Sequence, residues 1–226
     1  MYYFAKFSQF RKDIVLKIIS VCPNSFAANT YLLVSGRKAF VVDPSVSVKA
    51  IESILGSESS ELCGILLTHG HFDHTVSVDT VRDKFNIQLM IHQSDACMLT
   101  NGKINGFFDF YGKECVHRPA EKLLADGESI TLGNESIKVI STPGHSEGSV
   151  CFLCNEDQDN SFLITGDTLF SNSIGRCDLY GGNNKKMCSS LQLLSELGGK
   201  MEIYPGHGAS CSLSDALNSA RYYIEF

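Results

Sequence analysis

Thr68-His69-Gly70-His71-Phe72-Asp73-His74 places three imidazoles and one carboxylate within six consecutive positions. Neutral imidazole is the commonest metal ligand, and carboxylate suits the same divalent ions. His69 and His71 are two apart, so extended backbone turns them to one side, where they can grip a single ion. Asp73 and His74 are adjacent and come a turn later, so they point elsewhere. One loop can thus offer two ligands to each of two ions. A catalytic zinc takes three or more protein ligands and keeps one position open. The loop is short of that number, and metal binding therefore demands partners downstream. The competing explanation is a run of surface histidines.

Three later segments repeat one device. Thr142-Pro143-Gly144-His145, Thr165-Gly166-Asp167-Thr168 and Tyr204-Pro205-Gly206-His207-Gly208 each follow a predicted strand, turn at glycine and carry one histidine or aspartate. Singly, a His after Pro-Gly is an ordinary turn residue. Ligands at the ends of several strands, however, can converge on one edge of a sheet.

Leu62 to Leu67 is an apolar run that reads as a buried strand leading into the histidine loop. Gly70 is expected to let the backbone turn sharply there. Upstream, Ile14–Val21, Thr30–Val34 and Lys38–Asp43 read as strands, and Pro44 sets Asp43 on a loop near the sheet edge. A helix is predicted from Val48 to Leu55, stopping at Gly56, and another over about 76–85. Gln88–His92 is a short strand and Ser94–Leu99 a turn or two of helix. Asn101 to Tyr111 reads as a loop whose aromatics, Phe107, Phe108, Phe110 and Tyr111, form either a substrate wall or a core anchor. Strands follow at Ser129–Leu132, Ser136–Ser141, Ser149–Cys154, Ser161–Thr165 and Met201–Tyr204, with helices over Met187–Leu197 and Leu213–Tyr223. No linker divides the chain.

The chain has 226 residues, 43% of them hydrophobic and 19% charged, which are globular values. A formal net charge of −6 argues against a nucleic-acid groove or an anionic membrane as partner. The nine cysteines are odd in number, and several sit in apolar runs, the usage of reduced thiols rather than of a disulfide framework. Cys151 and Cys154 form a C-x-x-C, but strand positions three apart face opposite sides. Met1 to Phe10 is aromatic-rich yet lacks the layout of a secretory signal, and no segment reaches the length of a membrane span, so a cytoplasmic protein is expected. His92 and His117 have no motif and read as structural.

With T-H-x-H-x-D-H followed by a single His, Asp and His, the chain resembles the metallo-β-lactamase superfamily from about Ile14 to beyond His207. The resemblance implies an α/β fold: an αββα sandwich of two facing mixed sheets, helices on the outer faces and metals at one sheet edge. It implies one such domain over residues 1–226. His69, His71 and His145 would hold one ion and Asp73, His74 and His207 a second, with Asp167 bridging. Asp73 and Asp167 are then the carboxylates with a catalytic part, and Asp43 matches the acid that orients a ligand histidine. The cofactor expected is a pair of divalent ions, zinc with iron or manganese as alternatives. Within the superfamily, Ser173-Ile174-Gly175-Arg176-Cys177-Asp178-Leu179-Tyr180-Gly181-Gly182 is similar to the short bacterial glyoxalase II, or hydroxyacylglutathione hydrolase, group. The full-length members carry a helical C-terminal extension that binds glutathione, whereas this chain has room for one helix after His207. Phe107, Phe108, Arg176 and Tyr180 are candidate pocket residues, although an internal ion pair of Arg176 with Asp178 is the favoured role for that arginine.

The chemistry implied is hydrolysis. Two ions roughly 3.5–4 Å apart can share a water, lower its pKa to about neutrality and neutralise charge on the attacked carbonyl. A thiol with a pKa of about 8.5 departs without a strong acid, whereas an amine needs a proton delivered. A thioester such as S-lactoylglutathione, a related acyl-thiol or an ester is therefore the expected small-molecule substrate, ahead of a lactone or β-lactam. From another reaction class, a persulfide dioxygenase would hold one iron with His69, His145 and Asp167.

Overall fold

The computed structural model describes residues 16–21, 27–156, 160–198 and 200–224. Met1 to Phe10, the start of the strand expected at Ile14, and Cys22 lie outside them. Among the described residues, twelve strands form two six-stranded mixed sheets. In the first, β1 (Lys17–Val21), β2 (Thr30–Ser35) and β3 (Lys38–Val42) pair antiparallel. β4 (Glu61–Leu66), β5 (Gln88–His92) and β6 (Lys122–Leu124) then add in parallel. The second sheet runs β7 (Ser129–Leu132), β8 (Glu135–Ser141), β9 (Val150–Cys154) and β10 (Phe162–Gly166), all antiparallel. β11 (Glu202–Pro205) joins β10 in parallel, and β12 (Cys211–Ser212) closes the edge.

Both sheets are covered on both faces, which is why so many strands read as unbroken apolar runs. Alternate residues divide between layers. Tyr31 and Leu33 of β2 and Val150, Phe152 and Cys154 of β9 meet in the core between the sheets. Leu32 and Val34 turn outward onto α1 (Val48–Glu58), α2 (Val78–Phe85) and α3 (Ala96–Thr100). Cys151 and Leu153 turn outward onto α5 (Asn184–Ser195) and α6 (Leu213–Ile224). The order of layers is helix, sheet, sheet, helix. The two cysteines of the C-x-x-C thus face opposite cores, as strand alternation requires, and burial pushes the Cys151 thiol up to about 12. Cys151 and Cys154 are buried, whereas Cys63 and Cys97 are exposed.

Some boundaries differ from the sequence reading. α1 does not stop at Gly56 but runs to Glu58, where Ser59 takes the left-handed conformation. Glycine inside a helix costs about 1 kcal/mol, and burial of Ile51 and Leu55 on the preceding turns outweighs it. The segment read as a loop contains a short helix, α4 (Phe107–Tyr111). β6 and β12, of three and two residues, are too short to show a period. Among the described residues no helix is long and apolar enough to cross a membrane.

Candidate metal centre

Every ligand-type residue found by motif sits just past the C-terminal end of a strand. β4 delivers His69 to His74, β8 delivers His145, β10 delivers Asp167 and β11 delivers His207. The two sheets are strapped together at this edge. Thr68 accepts from the Val150 N–H across the sandwich at 2.9 Å, Asn29 N–H donates to the Gly206 carbonyl at 2.7 Å, and Tyr31 OH donates to the Pro205 carbonyl at 2.6 Å.

The side chains converge into three overlapping groups whose ligand atoms lie within 4.8 Å of one another: His69, His71 and His145; His69, His74 and Asp167; Asp73, His74 and His207. His71 Nδ1 lies 2.8 Å from His145 Nε2, and His207 Nε2 lies 3.1 Å from Asp73 Oδ2. Asp167 stands between the groups. Its Oδ1 is 3.2 Å from His74 Nε2, and its Oδ2 is 3.5 Å from His145 Nε2 and 3.6 Å from His207 Nε2. As expected from their spacing, His69 and His71 share a group. Asp73 and His74, on a 3₁₀ turn over Phe72–His74, share another.

The surroundings fix which nitrogen of His69, His74 and His145 faces the cluster. Asp43 is buried and accepts from the Thr68 N–H at 2.8 Å, the Thr68 hydroxyl at 2.7 Å and His74 Nδ1–H at 2.8 Å. The Thr68 oxygen in turn accepts from His69 Nδ1–H at 3.1 Å, and the Arg176 carbonyl accepts from His145 Nδ1–H at 2.7 Å. With the Nδ1 positions so occupied, the Nε2 lone pairs of His69, His74 and His145 point inward. His69 Nε2 is buried with no hydrogen-bond partner, and His74 Nε2 and Asp167 Oδ1, 3.2 Å apart, have no partner outside the cluster. Buried polar atoms are rarely left unpaired. Several such atoms aimed at one point, all of them metal-ligand types, fit a divalent cation.

Electrostatics point the same way. Burial, then His145, lowers His71 to about 3. Burial and then His74, His145, His71 and His207 hold His69 well below its ordinary value. Both rings are therefore neutral near pH 7, the form that binds metal. Burial opposes charge on Asp167 and Asp73 as well, but His74 and the other nearby histidines outweigh it and keep both carboxylates below their usual range. His74 is the exception. Burial lowers it, yet Asp167, Asp43 and Asp73 together raise it well above the usual histidine value.

These directions give a pH dependence for the chelated protein. In the unfolded chain His69 and His71 protonate below about 6.5. In the fold they stay neutral down to about 3 for His71. The unfolded state binds more protons across that window, so stability falls as pH falls through it. The raised His74 stabilises fully below about 6.5 and loses its contribution only at higher pH, so it does not offset this loss. The melting temperature of chelator-treated protein is expected to drop from pH 6 to pH 4, with a shallower drop in His71→Gln. Equal slopes in the two proteins would refute this electrostatic account.

One residue that the motifs left unassigned completes the frame. Asp95, buried, accepts from Gly70 N–H at 3.1 Å, Gly148 N–H at 2.7 Å and Ser146 Oγ–H at 2.6 Å. It ties the loop bearing His69 and His71 to the loop bearing His145. Gly70, expected to let the backbone turn sharply, is not among the glycines at positive φ. A Cβ there would sit 2.6 Å from Met98 Cβ, so glycine is required for close packing against α3. Gly175 plays a similar part, because a Cβ there would strike the Asp167 carbonyl and approach His145 Nδ1 to 3.0 Å.

Over the cluster opens a cavity of about 820 Å³. Of the expected pocket residues, Phe107 and Arg176 line it, together with Phe72, Phe110, Tyr111 and Leu179. Phe108 and Tyr180 are not among the residues that line this cavity and are 44% and 55% exposed. On α4, residues 107, 110 and 111 share one face at helical spacing, and 108 is rotated off it. Arg176 forms the expected ion pair, donating to Asp178 through Nε at 2.6 Å and Nη2 at 2.7 Å. His92 and His117 make structural bonds away from the cluster, His117 with Asp79 at 3.1 Å and His92 with Ser141 at 3.3 Å.

Comparison with known proteins agrees with this frame. The chain is similar to a probable metallo-hydrolase, YqgX of Bacillus subtilis (strain 168), with 34% identity covering 80% of this chain and 85% of that one. Among solved structures it is similar to the BLEG-1 B3 metallo-beta-lactamase, with a TM-score of 0.83 and 31% identity over 92% of this chain and 99% of that one. It is also similar to TTHA1623, solved in a di-iron-bound form, with a TM-score of 0.76 and 25% identity over 92% and 100% of the two chains. Residues 24–207, which span the orienting Asp43 and all seven converging side chains, match the profile of the metallo-beta-lactamase superfamily, and to that superfamily this chain belongs.

Proposed function

We propose that the chain is a binuclear metal-dependent hydrolase of thioesters or esters. The observation that carries this reading is the convergence of His69, His71, Asp73, His74, His145, Asp167 and His207 on one cluster, five of which (His71, Asp73, His145, Asp167 and His207) line a cavity with an aromatic wall. Bound divalent ions would supply a water-derived nucleophile at neutral pH and positive charge for the attacked carbonyl oxygen. His69, His71 and His145 would hold one ion, and Asp73, His74 and His207 the other, with Asp167 shared. Asp43, Thr68 and the Arg176 carbonyl keep the rings in the ligating tautomer, and burial keeps His69 and His71 neutral. A substrate packed against the aromatic side of the cavity would exclude water and thereby strengthen each electrostatic contact within it.

The leaving group selects the substrate class. Among the described lining residues, the acids are Asp73 and Asp167, both committed to the cluster, and the phenol Tyr111. No carboxylic acid is left over to protonate a departing amine, whereas a thiolate needs no such help. This favours a glyoxalase II-like thioester cleavage over the β-lactam ring opening of which one structural relative is capable by name. The test is elemental analysis of protein purified without added metal, with assays of thiol release, β-lactam hydrolysis and oxygen uptake with a persulfide. Two ions per chain with thiol release are expected. One iron with oxygen uptake would replace the reading by a persulfide dioxygenase, and β-lactam turnover without thiol release would replace the substrate.

A further inference from the structure

The cavity has two unlike halves. Its floor is the ligand cluster. Its wall is carbon, built on Phe72. The Phe72 ring meets Phe107 at 5.4 Å and 81°, Phe110 at 5.7 Å and 53°, and Tyr111 at 5.8 Å and 88°. Phe107 and Tyr111 lie closer, at 4.6 Å and 30°. Val76 and Leu179 extend the wall.

The outer members gain little from folding. Phe110 is 60% exposed, Tyr111 59% and Val76 55%. Burial of apolar surface stabilises by about 25 cal/mol per Å², and these side chains realise little of it until something covers them. A contiguous exposed apolar patch at the mouth of a site marks where a ligand or partner docks. This one is continuous with the floor.

Charge completes the case. Among the described lining residues Arg176 is the one lysine or arginine, and its charge is balanced by Asp178, to which it donates through Nε and Nη2. A peptide thiol such as glutathione carries two carboxylates, and each needs donors or cations to be held out of water. The wall of Phe72, Val76, Phe107, Phe110 and Leu179 offers neither, and the charge of the one cation at its side is already matched by Asp178. Resting on the hydrolase reading, we infer that the preferred substrate is an uncharged thioester or ester bearing an aromatic group, which packs against Phe72, Phe110 and Tyr111, rather than a charged glutathione conjugate.

The test compares thioesters of one small neutral chain length: an acetyl thioester, the same molecule with a benzyl group on either side of the scissile bond, and S-lactoylglutathione. A benzyl-bearing substrate is expected to exceed both others in kcat/KM by roughly 10–100-fold, mainly through KM. Phe110→Ala and Tyr111→Ala should each lower kcat/KM for that substrate about tenfold more than for the acetyl thioester. Both side chains are exposed, so neither change threatens the core. Calorimetric binding of a non-hydrolysable benzyl thioether, weakened in the same variants, supplies a readout independent of turnover. Acetyl cleavage with no benzyl preference, or equal use of S-lactoylglutathione, overturns the inference and leaves the hydrolase standing. So does dissociation of a dimer by Phe110→Ala with KM unchanged, which would make the wall a subunit contact. Thioether binding with no cleavage of any ester or thioester supports the aromatic subsite and removes the hydrolase.

Discussion

Asp167→Asn is expected to lower kcat by about 10³-fold, the scale on which single electrostatic contributors to a transition state act, and to reduce metal content below two ions per chain. The reason is position. Asp167 is the carboxylate among the described residues that faces both ligand groups, with oxygens 3.2 Å from His74 Nε2, 3.5 Å from His145 Nε2 and 3.6 Å from His207 Nε2. Asparagine keeps the shape but removes the charge, and its amide nitrogen would present hydrogens where a lone pair is needed. The turn that carries it should survive, because Thr168 N–H donates to Thr165 and Gly206 N–H to Gly166 through backbone alone. Steady-state kinetics with elemental analysis of the same sample decide the matter. A variant that retains two ions and turns over within tenfold of the wild-type chain would show that Asp167 is not shared between ligand groups.

The same arrangement explains what could be read from the chain before folding and what could not. Ligand identity was readable because chemistry and spacing reinforce each other. His69 and His71 sit two apart on extended backbone, and three single ligands follow three strand ends. Asp95 was invisible because its role lies wholly in contacts with residues 25, 51 and 53 positions away. Nothing in Gln93-Ser94-Asp95 distinguishes it from a surface turn. The aromatic segment misled for a local reason. Gly106 and Gly112 look like breakers of any regular structure, yet both adopt positive φ as the two caps of α4. Once that helix is recognised, its spacing separates Phe107, Phe110 and Tyr111 from Phe108. Gly56 misled in the opposite sense, since burial on one helix face outweighed a residue preference.

Asp43→Asn is expected to weaken metal binding about 10–100-fold, the usual loss when the partner of a ligating histidine is removed. It should do so most at the group of Asp73, His74 and His207. Asp43 touches none of the inward-facing atoms. It holds His74 Nδ1–H at 2.8 Å and thereby commits the Nε2 lone pair to the cluster. Its other bonds, to the Thr68 N–H and hydroxyl, reach His69 through that hydroxyl. Asparagine can keep one of these acceptor positions, but its NH₂ must then face a donor. Backbone conformation sharpens the comparison with alanine. Asp43 sits at φ 48, where asparagine is tolerated and alanine is strained by about 1–2 kcal/mol. Asp43→Ala also strands the buried Thr68 N–H, at about 1–3 kcal/mol. Affinity measured against a competing chelator should therefore fall in both variants, while the melting temperature of the chelated protein falls further in Asp43→Ala. Unchanged affinity in Asp43→Asn would mean that the cluster fixes its own tautomers, and that the strained backbone at Asp43 serves only the joint between β3 and β4.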